Sequence, residues 1–473
     1  MTVPDWVEDA IFYQIFPDRF ANGDPSNDPE NVKPWGSFPT NNGFQGGDLR
    51  GIIQHFDYLI DLGINAIYLN PIFLSPSTHR YNTTDYFKID PRLGDKQDFK
   101  RLLEIAHQNN VRIVLDGVFN HCGRGFFAFS DILDNQDQSP YRDWFHLKHF
   151  PVNAFGSGDA TDYMGWWNHK SLPKFNTSNN EVRKYLLSVA KYWLEQGIDG
   201  WRLDVPNEID DDTFWAEFRN VVKGVNPDAY LVGEIWEVQP RWVGKDHFDG
   251  LMHYPFRSAI LNLLNQKIRV KQFSENIDYL LNIYNRENVF SMYLPLGSHD
   301  TERVFTLLGG KIEKIKTAIL LQHTYPGAPA IYYGDEIGLE GGKDPDCRRA
   351  FPWEQSRWNY EIRSWVQSII SLRKMHPALR RGDYLSLMTE DANGGYAFAR
   401  TLNEEKIIIA VNASQIENSF CIPVKTLKLD EGSVLHHLTE PGESMVENGV
   451  IRVTIPPFSG KIIRLWKNEY ETV

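Results

Sequence analysis

Cysteine is scarce in this chain. Three in 473 residues, Cys122, Cys347 and Cys421, are too few and too scattered for a disulfide framework or a zinc site. Positive charge is short as well: 49 lysines and arginines face 62 aspartates and glutamates, a net of −13. Such a surface repels a phosphate backbone, which argues against nucleic acid and leaves a neutral partner unaffected. No apolar run approaches the roughly 18 residues of a membrane span. The opening MTVPDWVEDAIFYQ has no basic stretch followed by an apolar one, so no secretory signal is visible. A cytoplasmic protein without a membrane partner is the expectation. Repeats and low-complexity segments are also missing. The length allows roughly two to four domains. Aromatics are plentiful at 13%, with 14 tryptophans; they suit the apolar faces of sugar rings, although large cores use many too.

Short apolar runs alternate with amphipathic stretches. Eight runs have strand character: 10–16, 66–71, 111–118, 200–205, 230–236, 250–256, 290–299 and 328–334. They are rich in Val, Ile, Tyr and Phe, and several are apolar almost throughout, as strands buried on both faces must be. Helices are expected between them. Segment 48–62 carries Leu49, Ile52, Ile53, Phe56, Leu59 and Ile60 at helical spacing, and segment 179–195 opens on Asn179 with Glu181 in its first turn. Gly63 and Gly197 follow as helix stops. Eight such units in series predict an α/β fold, a (β/α)8 barrel, over 1–120 and 177–381. A doubly wound open sheet rarely needs eight such regular units. The irregular stretch 121–176 reads as an inserted subdomain. From 382 to 473 the pattern becomes short and alternating, which predicts an antiparallel β-sandwich domain.

The active site of such a barrel lies at the C-terminal ends of its strands. The third run ends with Asp116 and His121, the fourth with Arg202 and Asp204, the fifth with Glu234 and Trp236, the seventh with His299 and Asp300. Asp is a poor strand former and costly to bury. One such acid can be a helix cap or half of an ion pair; several on one rim point to chemistry. Glycosidic cleavage needs one carboxylic acid to protonate the leaving oxygen, and a carboxylate to attack the anomeric carbon or activate water. Crowded negative charge keeps one acid protonated near neutral pH. Arg202, two residues before Asp204 on the same strand face, suits an ionised nucleophile.

The blocks DGVFNH (116–121), GWRLDVPNE (200–208), GEIWE (233–237) and SHDTER (298–303) resemble the four signature regions of the α-amylase family, glycoside hydrolase family thirteen. Further similar blocks are GINAIYLNPIF (63–73), LPKFN (172–176) and GAPAIYYGDE (327–336). The resemblance implies a retaining α-glucan hydrolase acting on starch, pullulan, cyclodextrins or maltooligosaccharides through a glycosyl-enzyme intermediate. Asp204 would be the nucleophile, Glu234 the acid and then base, and Asp300 the group that holds and distorts the sugar. His121 and His299 would hydrogen-bond that sugar, Arg202 would orient the nucleophile, and Asp116 would support the pair. His79-Arg80-Tyr81 looks like the family's stacking platform, with Tyr81 under the ring. Trp236 joins the binding set.

LPKFN and GGKDPDCRR (341–349) look like the neopullulanase, cyclomaltodextrinase and maltogenic amylase subgroup. By that likeness Asp344 and Arg348 bind the sugar beyond the cleaved one, and Glu208 lies on the acceptor side. Leu172, Phe175, Pro206 and Glu237 depart from the pattern. The chain starts almost at its first barrel strand, so the subgroup's N-terminal β domain and its dimer are expected to be absent, leaving a monomer. Asn22, Asp24, Asn27 and Asp28, with Gly46 and Asp48, resemble the subgroup's loop for a structural Ca2+ ion, which takes six to eight oxygens; a solvated Asn/Asp turn is the alternative. A transglycosylase or isomerase on the same scaffold is a competing reading, against LPKFN and the Asp344/Arg348 match. A non-catalytic sugar-binding relative is another, against the presence of all three acids.

Overall fold

A computed structural model describes residues 3–465; residues 466–473 of the expected C-terminal domain lie outside them. Eight parallel strands form one sheet: β1 (Phe12–Ile15), β2 (Ala66–Leu69), β3 (Arg112–Gly117), β4 (Gly200–Leu203), β5 (Tyr230–Gly233), β6 (Gly250–Leu251), β7 (Tyr293–Pro295) and β8 (Ala328–Tyr332). Their order is β6-β5-β4-β3-β2-β1-β8-β7. A parallel bridge from Met252 to Tyr293 brings the two ends together, so the sheet closes into a barrel.

Period-two alternation divides each strand between two cores. Ile67, Leu69, Ile113, Leu115, Leu203 and Leu231 point outward into the large core shared with the surrounding helices. Phe12, Ala66, Tyr68, Val114, Tyr230, Val232, Tyr293 and Ala330 fill the barrel interior. The helix Asn180–Glu195 shows how the outer layer forms. Asn179 caps it by accepting from Glu181 N, and Val182, Leu186, Val189, Ala190, Trp193 and Leu194 are buried. Each large apolar side chain among them contributes roughly 1.5–3 kcal/mol.

Two expectations about elements are corrected. The run 250–256 is strand only at Gly250–Leu251; Tyr254–Leu264 is a helix with a proline at its start. The run 290–299 likewise contributes only Tyr293–Pro295, because Arg286–Phe290 is helical. Short apolar runs do not distinguish a buried strand from a buried helix. Segment 48–62 holds two helices, Leu49–Gln54 and Phe56–Leu62, because His55 leaves helical geometry and stacks on Trp353 with centroids 3.5 Å apart. Gly63 ends the second at φ 96°.

Between β3 and the helix Asn180–Glu195 lies an irregular segment with one α-helix, Phe127–Asn135, and three short 3-10 turns. The bridges His121–Lys174, Phe145–Phe175, Leu147–Tyr163 and Gly165–Pro173 hold it together. Past the barrel, six strands from Asp383–Glu390 to Ser459–Leu465 form an antiparallel sheet, and Asn418–Pro423 pairs with Val450–Ile455. Tyr396, Phe398, Ile407 and Ile409 join the barrel-side core, while Ala397, Ala399, Ile408 and Ala410 face Phe420, Ile422, Ile451 and Val453. None of the helices among the described residues is long and apolar enough to cross a membrane.

Candidate active site

The inward-facing row turns polar as it climbs the barrel. Phe12 is followed by Gln14, Tyr68 by Asn70, Val114 by Asp116, and Val232 by Glu234, each two residues on. Parallel register sets Asp116 beside Arg202 on neighbouring strands, and Arg202 beside Val232. Asp204 N donates to Gly117 O (3.0 Å) and Glu234 N to Leu203 O (2.9 Å), extending that register past the strand ends. The acids therefore meet around one guanidinium because three neighbouring strands, β3, β4 and β5, deliver alternate residues to one interior.

That guanidinium is shared unequally. Arg202 is 1% exposed. Its Nη1 donates to Asp116 Oδ1 at 2.8 Å and to Asp204 Oδ1 at 2.9 Å. Its Nη2 lies 2.8 Å from Glu234 Oε2, yet off the line of a hydrogen bond. Three buried carboxylates around one cation would carry a net −2, and burial raises the pKa of all three. Glu234 is pushed up to about 7, by burial first; Arg202 opposes the rise and Asp300 and Asp116 reinforce it. Asp204 is also pushed up by burial, with Arg202 opposing. Aligned, charge-assisted hydrogen bonds favour the ionised form. Asp116, which also accepts from Tyr68 (2.6 Å) and Tyr81 (2.8 Å), and Asp204 have them from Arg202. Glu234 lacks one from Arg202, which favours its protonated form relative to Asp204.

Val205 serves the same acid. It adopts φ 35°, ψ 51°, a left-handed conformation that is strained for a β-branched residue. Its N–H thereby donates to Glu234 Oε2 at 3.1 Å. Trp236 Nε1 reaches Glu234 Oε1 at 3.3 Å, and its ring, 46% exposed, stacks on Tyr254 at 3.8 Å.

Across the rim, Asp300 is exposed while Asp204 and Glu234 are buried. Arg348 donates to Asp300 Oδ1 (3.3 Å), pairs with Asp344 (3.1 Å) and holds His299 O (2.8 Å). His299 Nδ1 faces Gln14 Nε2 at 2.9 Å; the amide donates, which leaves the ring proton on Nε2, 3.1 Å from Asp300 Oδ2. Tyr81 lies parallel to His299 at 5.4 Å and to His79 at 5.9 Å. Burial holds the imidazoles neutral: His79 falls to about 4 and His121 to about 3, and His299 lies well below its usual value. His121 is buried beside Trp166, and Glu208 is held through its carbonyl by Lys174 Nζ at 2.6 Å. Contacts thus join Asp116, Arg202, Asp204, Glu234 and Trp236 on one side and His79, Tyr81, His299, Asp300, Asp344 and Arg348 on the other, with Tyr81 bonded to Asp116 between them.

Sequence reasoning missed the residues behind that rim. Gln14, Tyr68, Asn70 and Tyr254 orient His299, Asp116, Tyr81 and Trp236. Polar atoms in the middle or at the end of otherwise apolar runs were the available signal for the first three. Tyr254 was hidden by the misread strand.

The loop 22–28 packs against Gly46 and Asp48. Asp48 accepts from Gly23 N (3.1 Å), Asp24 N (2.8 Å), Gly51 N (2.6 Å) and Asn27 Nδ2 (3.3 Å). Asp24 is engaged by Ser26 and Arg50. Asn22 Nδ2 donates to both oxygens of Asp28 at 3.0 Å. Asn22 Oδ1 and Asn27 Oδ1 remain buried with no partner. A Cβ on Gly46, at φ 84°, would lie 2.2 Å from Asp28 Oδ1. Two orphaned amide oxygens beside a carboxylate fit a hard cation.

Comparison with known proteins agrees with this geometry. Residues 14–401 match the family model described as "Alpha amylase, catalytic domain". A cyclomaltodextrinase of Geobacillus thermopakistaniensis (strain MAS1) is 43% identical over 96% of this chain and 76% of its own length. Neopullulanase 2 of Thermoactinomyces vulgaris is 41% identical over 98% of this chain and 78% of its own. Among solved structures, the cyclic α-maltosyl-(1→6)-maltose hydrolase of Arthrobacter globiformis, in complex with cyclic α-maltosyl-(1→6)-maltose, superposes with a TM-score of 0.89 at 38% identity, over 98% of this chain and 100% of that one. The barrel, the acids at its strand ends and these matches together make the chain a member of the α-amylase family of glycoside hydrolases.

Proposed function

We propose that the chain is a retaining α-glucan hydrolase that cleaves α-1,4 bonds, with α-1,6 bonds a further target, in maltooligosaccharides, cyclodextrins, starch or pullulan. Asp204 attacks the anomeric carbon and Glu234 protonates the leaving oxygen, then activates water. Asp300 holds the sugar hydroxyls, with His121, His299 and Tyr81 around the ring; Asp344 and Arg348 take the next unit, and Glu208 lies on the acceptor side. The observation that carries this reading is the unequal sharing of Arg202, aligned on Asp204 and Asp116 but not on Glu234. It favours an ionised Asp204 beside a protonated Glu234, the pair that double displacement requires. The α-1,6 target is favoured by the full-length match to a hydrolase whose named substrate contains a (1→6) link.

Replacing Asp204 by Asn is expected to lower kcat by several orders of magnitude; retained turnover would overturn the assignment. NMR of the first product is expected to show the α-anomer, and a β-anomer would exclude double displacement. Parallel assays on starch, pullulan and β-cyclodextrin rank the substrates. We also propose a structural Ca2+ held by Asn22, Asn27 and Asp28, with Gly46 closing the loop. Bound there, it pins the loop and takes no part in bond cleavage. Chelation is then expected to lower Tm, with Ca2+ restoring it. The chain is further proposed to act as a monomer, which analytical ultracentrifugation tests.

A further inference from the structure

Two aromatic rings in the inserted segment, Trp166 and Trp167, have no counterpart in the roles above. His121, Trp166 and Trp167 form a continuous stack. The His121 and Trp166 centroids lie 5.4 Å apart at 19°, and those of Trp166 and Trp167 4.6 Å apart at 12°. His121 is 1% exposed, whereas Trp167 is 73% exposed. The stack thus runs from the buried His121 ring out to solvent.

The outer ring is held there at a cost. Trp167 has φ 47°, ψ 33° and Asn168 has φ 61°, two successive left-handed residues, which is uncommon for a bulky side chain. The turn is fixed by Trp166 N donating to Leu172 O at 2.9 Å, and by Ala160 N donating to Asn168 O at 2.7 Å. Packing against Trp166 covers one face of the indole and leaves the residue 73% exposed. Two polar atoms of the stack, His121 Nε2 and Trp166 Nε1, are buried with no hydrogen-bond partner. The His121–Lys174 bridge and the bond from Lys174 Nζ to Glu208 O set the stack on the Glu208 side of the rim.

We propose that Trp167 is a stacking platform for a glucose unit of the α-glucan chain on the acceptor side, outside the sugar pocket. This rests on the α-glucan hydrolase reading above. An exposed indole face matches the apolar face of a pyranose, and a rigid backbone lowers the entropy lost on binding. Trp167 thereby sets the preference for long chains over short ones.

The test is Trp167→Ala assayed on maltoheptaose and on a p-nitrophenyl α-maltoside, whose leaving group carries no sugar. We expect KM for maltoheptaose to rise about five- to tenfold with kcat within about twofold, and KM for the aryl maltoside to rise far less. Trp167→Tyr is expected to recover most of the loss. An unchanged KM for maltoheptaose, or an equal rise on both substrates, would overturn the proposal. Titration of maltoheptaose into Asp204→Asn protein, with and without Trp167→Ala, reads the platform without turnover. Equal affinities there would overturn it too. A native protein inactive on both substrates would count against the hydrolase reading instead, while the titration still decides on the platform.

Discussion

Glu234→Gln separates the electrostatic account of this site from a purely geometric one, because it predicts a stability difference that depends on pH. Glu234 is 4% exposed, and its pKa rises from an ordinary 4.5 to about 7. Below pH 4.5 the group is neutral in both folded and unfolded chains, and its contribution to stability is fully present. As pH rises, the unfolded chain ionises first and gains free energy that the folded chain does not. The contribution is lost progressively up to the folded value near 7. A rise of about 2.5 units at 1.36 kcal/mol each amounts to about 3 kcal/mol. Glutamine cannot ionise, so the variant escapes this loss.

The unfolding entropy of a chain this long is about 1 kcal/mol per kelvin. The Tm of Glu234→Gln should therefore match the native Tm at pH 4 and exceed it by about 3 °C at pH 8. A thermal-shift series from pH 4 to 8 measures it. A difference that does not vary with pH, or a native protein that gains relative stability as pH rises, would refute the raised Glu234 pKa. The same proton is the one donated in catalysis, so native kcat/KM is expected to fall as pH rises through about 7.

The remaining predictions follow from the same contacts. Arg202→Met leaves three buried acids without their cation, and urea unfolding is expected to show a loss of about 3–5 kcal/mol; a loss below about 1 kcal/mol would mean that the cluster simply takes up protons. Asp300→Asn removes a charge that helps push Glu234 up, so the basic limb of the kcat/KM profile is expected to move to lower pH. The same variant should lose about a hundredfold in kcat through poorer placement of the sugar. Gly46→Ala puts a methyl group 2.2 Å from Asp28 Oδ1 at φ 84°, so a lowered Tm that chelator no longer changes is expected.

The fold and most of the rim were legible because barrel strands write them in a simple pattern. A strand buried on both faces has no reason to carry Asp116, Arg202 or Glu234 unless its end opens on chemistry, so these residues stand out against apolar neighbours. The same pattern misled at 250–256 and 290–299, where a buried helix is as apolar as a buried strand; the Pro255 signal at the start of the helix was the overlooked mark. His55 broke a periodic helix through a stack on Trp353, a contact from 298 residues away that no local pattern encodes.

Strand pattern alone does not express which acid keeps the proton; only the resemblance of GEIWE to a family signature pointed to Glu234. Asp116, Asp204 and Glu234 are equivalent as residue types, and Arg202 is near all three by strand register alone. The distinction lies in the direction of two N–H bonds: Nη1 points at Asp116 and Asp204, while Nη2 is close to Glu234 without pointing at it. Val205 works the other way at the level of the backbone: its left-handed conformation turns an amide toward the acid that Arg202 leaves unaligned, and that hydrogen bond restrains the rise of the Glu234 pKa. An acid held by a backbone amide and an indole rather than by an aligned cation can give up and retake a proton without breaking the ion pair beside it. Division of labour among these carboxylates is thus a property of orientation, and Val205 holds its left-handed conformation although Pro206, which follows it directly, favours extended backbone at the residue before it.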